Sequence, residues 1–301
     1  MNPFYEEYGD YLKERFGGKM QKLTVDTGAS CPNRDGTLGR GGCVYCCNEA
    51  FSPMAGSRES VAAQLERGKG FFARKYPSMR YLAYFQSHTS TNAGADVFLR
   101  QVRQAMDVSG VAGIVVGTRP DCMPDDVLSE LAHINRCHMP VLVEYGMESA
   151  CDATLLRINR CHTHADTVDA VRRTADAGID CGVHLIFGLP GEDEAAMLAG
   201  VDAVNAMPVR FVKFHQLQIL RDTALARNVE QGRESVRLFG LEEYVEFCCR
   251  VVGRVRAGIA IDRFTAQAPA SMVIAPRWGL KNHEFRALLH RRLTELANSR
   301  S

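Results

Sequence analysis

Cys31-Pro-Asn-Arg-Asp-Gly-Thr-Leu-Gly-Arg-Gly-Gly-Cys43-Val-Tyr45-Cys46 is the stretch on which the reading of this chain turns. Glycine, asparagine and aspartate crowd it, so it is a loop, because these residues supply turn conformations that regular elements do not need. Three thiols lie close together with no fourth at a matching spacing. Such a trio suits an iron–sulfur cluster that leaves one iron without a protein ligand, and an open iron is a chemical site as well as a staple. Zinc is the first rival. A structural zinc site wants four closed ligands, usually as two close pairs. Here Cys43 and Cys46 make one pair, while Cys31 has no near partner. Cys47 adjoins Cys46 and would strain a shared tetrahedron, and neither His88 nor His162 has paired-ligand spacing. Spacing favours iron–sulfur over zinc.

At 301 residues, 46% hydrophobic and 24% charged, the chain has material for two ordinary domains or one large α/β barrel. Its net charge of +1 excludes a global basic field of the kind that draws nucleic acid. The C-terminal run is basic (Arg277, Lys281, Arg286, Arg291, Arg292, Arg300), and it reads as a solvated helix face. No apolar run approaches the roughly 20 residues of a membrane span. The first residues, Met1-Asn2-Pro3-Phe4-Tyr5-Glu6-Glu7, lack the basic start and apolar core of a signal peptide. The 11 cysteines therefore read as thiols of a cytoplasmic protein plus one metal site, with most of the others as small core hydrophobes. Cys248 and Cys249 lie inside an amphipathic pattern, so at least one should fill core.

Short β-rich runs alternate with helical patterns. Strands are expected at 22–26, 80–86, 111–118, 140–146, 182–188 and 210–217, with helices at 57–75, 96–107, 125–137, 164–177 and 192–206. Pro124 before Asp125 and Asp126 marks one helix start, and Gly178 marks another helix end. A repeating strand–helix unit implies right-handed crossovers and a parallel sheet, open or barrel-like, with chemistry at the C-terminal strand ends. The first strand runs straight into the cysteine loop, which puts the metal at that face. Beyond Leu220 the pattern loosens into a helix at 241–256, a short strand at 259–264 and a helix at 282–296, read as an appended lid or substrate element.

The cysteine pattern, with Tyr45 before its last member, resembles the radical S-adenosylmethionine (SAM) superfamily. The long first spacer resembles the branch holding the catalytic subunit of Elongator and a group of bacterial radical SAM proteins, the latter over nearly the whole chain. The resemblance implies an α/β fold, a partial (β/α)6 barrel over residues 1–220 with an extension over 221–301. It also implies a [4Fe–4S] cluster on Cys31, Cys43 and Cys46, with SAM chelating the fourth iron. Cys47 departs from the family pattern, where a polar residue is expected.

A second constellation is Glu144-Tyr145-Gly146-Met147-Glu148-Ser149, followed by Arg157 and by Arg160-Cys161-His162. In an extended segment Glu144 and Glu148 share one face. Two carboxylates at a barrel mouth could bind a ribose; the plain alternative is a surface ion pair with Arg157 or Arg160. The resemblance makes Glu148 the ribose contact and Arg160 the partner of the cofactor's carboxylate, for which a guanidinium fork is well shaped. It gives Gln86 and Ser87 to the methionyl amino group, without the usual glycine-rich version of that strand end, and His184 to a polar cofactor contact. A lone histidine in an apolar strand is otherwise a satisfied core residue. Tyr45 either packs on the adenine or shields the cluster. Gly188, Pro190 and Gly191 are turn residues, and Trp278, the single tryptophan, reads as an anchor for the tail.

These features lead to a cytoplasmic radical SAM enzyme that cleaves SAM reductively to a 5′-deoxyadenosyl radical for hydrogen abstraction. The implied partner is an external one-electron reductant of the flavodoxin or ferredoxin type, and no auxiliary cluster is expected. The Elongator-like spacing keeps a transfer RNA or other nucleotide among the candidate substrates, while the small net charge argues against a large phosphate-binding surface. There is no room for the acetyltransferase domain that follows the barrel in Elongator. Two rivals differ in class. One is a zinc-stabilised nucleic-acid-binding module; the other is an ordinary βα-barrel enzyme whose strand-end glutamates act as general acid and base.

Overall fold

The computed structural model describes residues 2–51, 56–74, 76 and 78–299. Met1, Lys75 at the expected end of the first long helix, and Arg300 of the basic run lie outside the described residues. Seven strands form one parallel sheet: β1 (Met20–Val25), β2 (Arg80–Phe85), β3 (Val111–Thr118), β4 (Val141–Glu148), β5 (Asp180–Phe187), β6 (Phe211–Gln216) and β8 (Ala260–Ile261), in that order. Two further short strands, β7 (Ile219–Leu220) and β9 (Val273–Ala275), pair antiparallel. The expected α/β partial barrel is the observed architecture. The short strand expected at 259–264 is β8, and it joins β6 in parallel as a seventh strand of the sheet.

Period-two alternation sorts the strand side chains. Leu23, Val25, Ala83, Phe85, Ile114, Val116, Val143, Tyr145, Val183, Leu185, Val212 and Phe214 pack outward against the helices in the main core. Leu82, Tyr84, Val115, Leu142, Phe211 and Ala260 face inward, where the N-terminal helix Tyr8–Phe16 fills the base with Tyr8, Tyr11, Leu12 and Phe16. Gly113 is required by this plug, since a Cβ there would stand 2.6 Å from the Phe16 ring. The sequence reading had no helix in this region.

The sheet curls. Lys22 on the first strand lies 3.6 Å from Asp262, just past the last. A flat sheet of seven strands would hold its edges roughly 29 Å apart at ~4.8 Å per strand. Glu6 and Glu7 run along β8, with the Ile261 amide donating to the Glu6 carbonyl at 2.8 Å, so the chain's own N-terminus covers that edge.

Helices Val61–Ala73, Ala95–Met106, Asp125–Cys137, His164–Asp176 and Glu194–Asn205 follow the strands in turn. His164–Asp176 opens on a capping box formed by Thr163 and Asp166. Leu241–Arg254 packs between Glu194–Asn205 and the last helix, Asn282–Asn298. Trp278 lies parallel to Phe285 and tilted over Tyr244, fixing the tail to this layer. Among the described residues no helix is long and apolar enough to cross a membrane.

Candidate active site

A cavity of about 210 Å³ lies at the C-terminal strand ends, and Cys31, Cys43 and Cys46 all line it. Their loop is held by its own polar residues. Cys31 caps a short helix, Pro32–Asp35, with Pro32 at its first position, where the missing N–H costs nothing. Asn33 is fully buried. Its amide donates to the Asn159 carbonyl and lies 3.7 Å from the Cys43 sulfur, while Cys161 donates to its oxygen at 3.1 Å. Val44 N–H donates to the Ile158 carbonyl at 3.0 Å, and the Asn159 amide donates to the Gly42 carbonyl at 2.8 Å. The loop is thereby strapped to residues 158–161, and Arg160 Nη1 comes within 3.6 Å of the Cys43 sulfur.

The three thiols share a wall without converging on one point. Among the described residues no three His, Cys, Asp or Glu side chains stand close enough to hold a single ion. Burial, and then the neighbouring Cys43, pushes the Cys46 thiol up to about 11. Metal binding at such a thiol must therefore displace a proton. Arg34 spans the loop, donating to the Cys46 carbonyl at 2.9 Å.

Arg160 is the hub beside the cysteines. It donates to the Gly146 carbonyl at 2.6 Å and to His162 Nε2 at 2.9 Å, and it pairs with Glu148 at 3.2 Å. Burial, reinforced by Arg160, lowers His162 to about 4, so the ring is neutral and can accept that bond. Burial raises the Glu148 carboxyl even though Arg160 and the Tyr45 hydroxyl favour its charged form. A bulge at Gly146–Glu148 and a left-handed backbone at Glu148 (φ 65°) bring its carboxyl to the cavity. A Cβ on Gly146 would sit 2.5 Å from Arg160 Nη2 and 2.6 Å from Glu148 Oε1, so only glycine admits the pair. His88 (φ 49°), Asn159 (φ 55°) and Cys161 (φ 60°) are likewise left-handed, a concentration of backbone strain that marks functional sites.

Beneath this layer lies a buried charged floor. Glu144 accepts from Lys22, from the Tyr84 hydroxyl, from Lys213 at 2.8 Å and from His184 Nε2 at 3.1 Å. Burial alone would raise the Glu144 carboxyl, but Lys213, Lys22 and His184 hold it well below the usual range. Asp262 stands 3.6 Å from both lysines. Burial and Lys213 lower His184 to about 4 against the pull of Glu144, and burial and Arg263 hold His215 well below its ordinary value.

Tyr45, Gln86, Glu148, Arg160 and His184 line the same cavity as the three cysteines. Ser87 does not; it is buried alongside and accepts from Asn48 at 3.2 Å. Cys47 is also off the wall, near Glu49 at 3.5 Å. Arg157 pairs with Glu234, leaving Glu148 to Arg160. Of the cysteines outside the trio, Cys181, Cys248 and Cys249 are buried, but Cys137, Cys151 and Cys161 are exposed. The expectation that most would be core filler is corrected accordingly.

Arg119, Tyr84, His215 and Arg263 also line the cavity, and the sequence had assigned none of them a role. Arg119 is buried and grips Asp121 through two bonds of 2.9 and 2.8 Å, while its Nη1 has no partner. Its signal was legible: Thr118-Arg119-Pro120 ends a strand, and strand ends are where chemistry gathers.

Comparison with known proteins gives the following. The radical SAM superfamily model matches residues 31–202, and the Radical_SAM C-terminal domain model matches residues 209–295. Protein YhcC of Escherichia coli is 37% identical over 271 residues, covering 90% of this chain and 86% of that protein. Uncharacterized protein YtqA of Bacillus subtilis is 32% identical over 290 residues, covering 96% and 89%. Among solved structures, the archaeal Methanocaldococcus infernus Elp3 superposes with a TM-score of 0.70 at 13% identity, over 92% of this chain and 63% of that one. Coproporphyrinogen III oxidase (HemN) from Escherichia coli gives 0.51 at 11%, over 84% and 53%. The chain spans less than two thirds of either solved structure, and those two likenesses concern the fold.

Proposed function

The chain belongs to the radical SAM superfamily of enzymes, and on that premise we propose that Cys31, Cys43 and Cys46 hold a [4Fe–4S] cluster whose remaining iron takes SAM. The observation that carries this is the three-thiol wall facing a buried Glu148–Arg160 pair across one cavity. The donor set suits the group. A cluster is gripped at separate corners, whereas zinc draws thiolates to about 2.3 Å of one centre. When bound, the cluster supplies one electron to SAM, which splits into methionine and a 5′-deoxyadenosyl radical able to abstract hydrogen.

The protein's part is to bind, orient and exclude water. Glu148 is suited to accept from ribose hydroxyls. Arg160, fixed by Gly146 and His162, and Arg119, with a free buried N–H, offer guanidinium donors to a carboxylate. Gln86 provides the polar end for the methionyl amino group, with Ser87 acting behind it through Asn48. His184 is engaged by Glu144 and borders the cofactor space from below. Tyr45 packs with the apolar cluster of Leu155, Ile158 and Leu217 and so keeps water from the thiols. Residues 1–220 carry the cysteines and the contacts above, and the 221–301 extension brings Arg263 to the cavity. The electron donor in this reading is a flavodoxin- or ferredoxin-type protein of the cytoplasm.

Anaerobic purification tests the reading. About four irons per chain and methionine plus 5′-deoxyadenosine released under dithionite are expected. Cys31→Ala, Cys43→Ala and Cys46→Ala should each abolish both, and Cys47→Ala neither. A colourless protein holding one zinc overturns it.

A further inference from the structure

Arg263 borders the cavity that holds the cysteines and also a second one at the seam between β1 and β8, lined by Lys22, Lys213 and Asn282. Three cations meet at this floor, Lys22, Lys213 and Arg263, against two carboxylates, Glu144 and Asp262. Both carboxylates are taken by the lysines. Arg263 has only a neutral partner, donating from Nη2 to His215 Nε2 at 3.2 Å, and no carboxylate oxygen stands within 4.0 Å of it among the described residues. Its Nε is a buried donor with nothing to bond. The Gln218 amide oxygen, on the same cavity wall, is a buried acceptor with nothing to bond.

A half-buried cation in surplus over the local carboxylates and two orphaned buried polar atoms are costly, and native interiors leave few such atoms. Both residues line one cavity, and a small side-chain rotation would turn either atom toward a ligand held there. We propose that this floor is the substrate subsite and that it takes a small molecule whose carboxylate or phosphate pairs with Arg263 and whose hydroxyl or amino group donates to Gln218. The assignment rests on the radical SAM reading for its identity as a substrate site, but not for anion binding itself. His184 and His215, both neutral, add no charge of their own and leave the guanidinium as the group an anion meets.

The test uses the full chain, reconstituted anaerobically, unfolded by heat with inorganic phosphate or with succinate at constant ionic strength. Saturable stabilisation by at least one probe is expected in place of the linear rise that salting-out gives. Which probe acts separates a phosphate from a carboxylate. Arg263→Met should raise the anion-free midpoint, because it removes the unpaired charge, and should weaken half-saturation roughly tenfold or more. Arg263→Lys, which keeps charge but loses the fork, should fall between. Three results overturn the proposal: no saturable effect of either probe on the wild type, an Arg263→Met midpoint below wild type, or stabilisation by an oligoribonucleotide but by neither small anion. SAM cleavage is measured on the same wild-type samples. Retained cleavage without anion binding sinks the subsite alone, whereas absent cleavage with intact anion binding sinks the radical SAM reading.

Discussion

Glu144→Gln is the substitution that most directly examines the charged floor. The carboxylate is fully buried and accepts from Lys22, Tyr84, His184 and Lys213. Glutamine keeps the shape and one acceptor oxygen but presents an NH2 to one of the two ammoniums and removes the negative charge from both. Those lysines are then left with Asp262 alone, 3.6 Å from each. Removing one member of a buried pair costs about 3–5 kcal/mol, because the other charges stay buried without compensation. With a urea dependence near ~3 kcal/mol/M for a chain of this size, a loss of about 4 kcal/mol moves the midpoint down by ~1.3 M. The measurement is urea unfolding followed by far-ultraviolet circular dichroism on wild type and variant prepared identically. Lys213→Met supplies the coupling: the double variant should be milder than the sum of the singles by more than about 1 kcal/mol, since each change relieves the other. A Glu144→Gln midpoint within about 0.3 M of wild type, or strict additivity, would refute the view that these charges act as one unit.

Two other outcomes are expected. Gly146→Ala should leave the circular dichroism spectrum unchanged but drive Arg160 and Glu148 apart, because the new methyl would lie 2.5 and 2.6 Å from them; SAM binding by anaerobic calorimetry should weaken roughly tenfold or more. Stability should fall as pH drops from about 6.5 toward 5: His184 and His162, each lowered to about 4 chiefly by burial, stay neutral in the fold while the unfolded chain takes up protons. The unfolded state binds more protons in that window, so the slope of stability against pH is positive, at most ~1.4 kcal/mol per pH unit for each histidine. Urea midpoints at pH 7, 6 and 5 check it, and His184→Gln with His162→Gln should flatten the curve.

Much of the barrel was legible because its signals are local. Val111–Thr118 is rich in β-branched residues and Asp125–Cys137 has its proline just ahead and an acidic start, and both elements fall where periodicity and punctuation put them. The cysteine loop was legible for the same reason: the spacing of the three thiols is itself the message. The N-terminal helix was missed although Tyr8, Tyr11, Leu12 and Phe16 recur at helical spacing, because a short aromatic helix before the first strand has no place in a strand–helix repeat. The charged floor was hidden for a deeper reason. Lys22, Glu144 and Lys213 sit on three strands and Asp262 just past a fourth, and each alone reads as an ordinary surface charge.

Only the curl of the sheet turns those residues inward and brings the first strand against the last, so their chemistry is a property of the closed curve and not of any segment. The same curl explains why Arg263 reads as part of a short strand in an appended element in one dimension and borders the cavity floor in three. β8 is two residues long, within the short strand expected at 259–264, and it is what sets Asp262 within reach of Lys22 and Lys213. If the floor works as inferred, weakening β8 should act on both at once. A proline at Ile261 removes the amide that Glu6 accepts from, so it should loosen the seam, expose the lysines to water and abolish anion binding without touching a single cysteine.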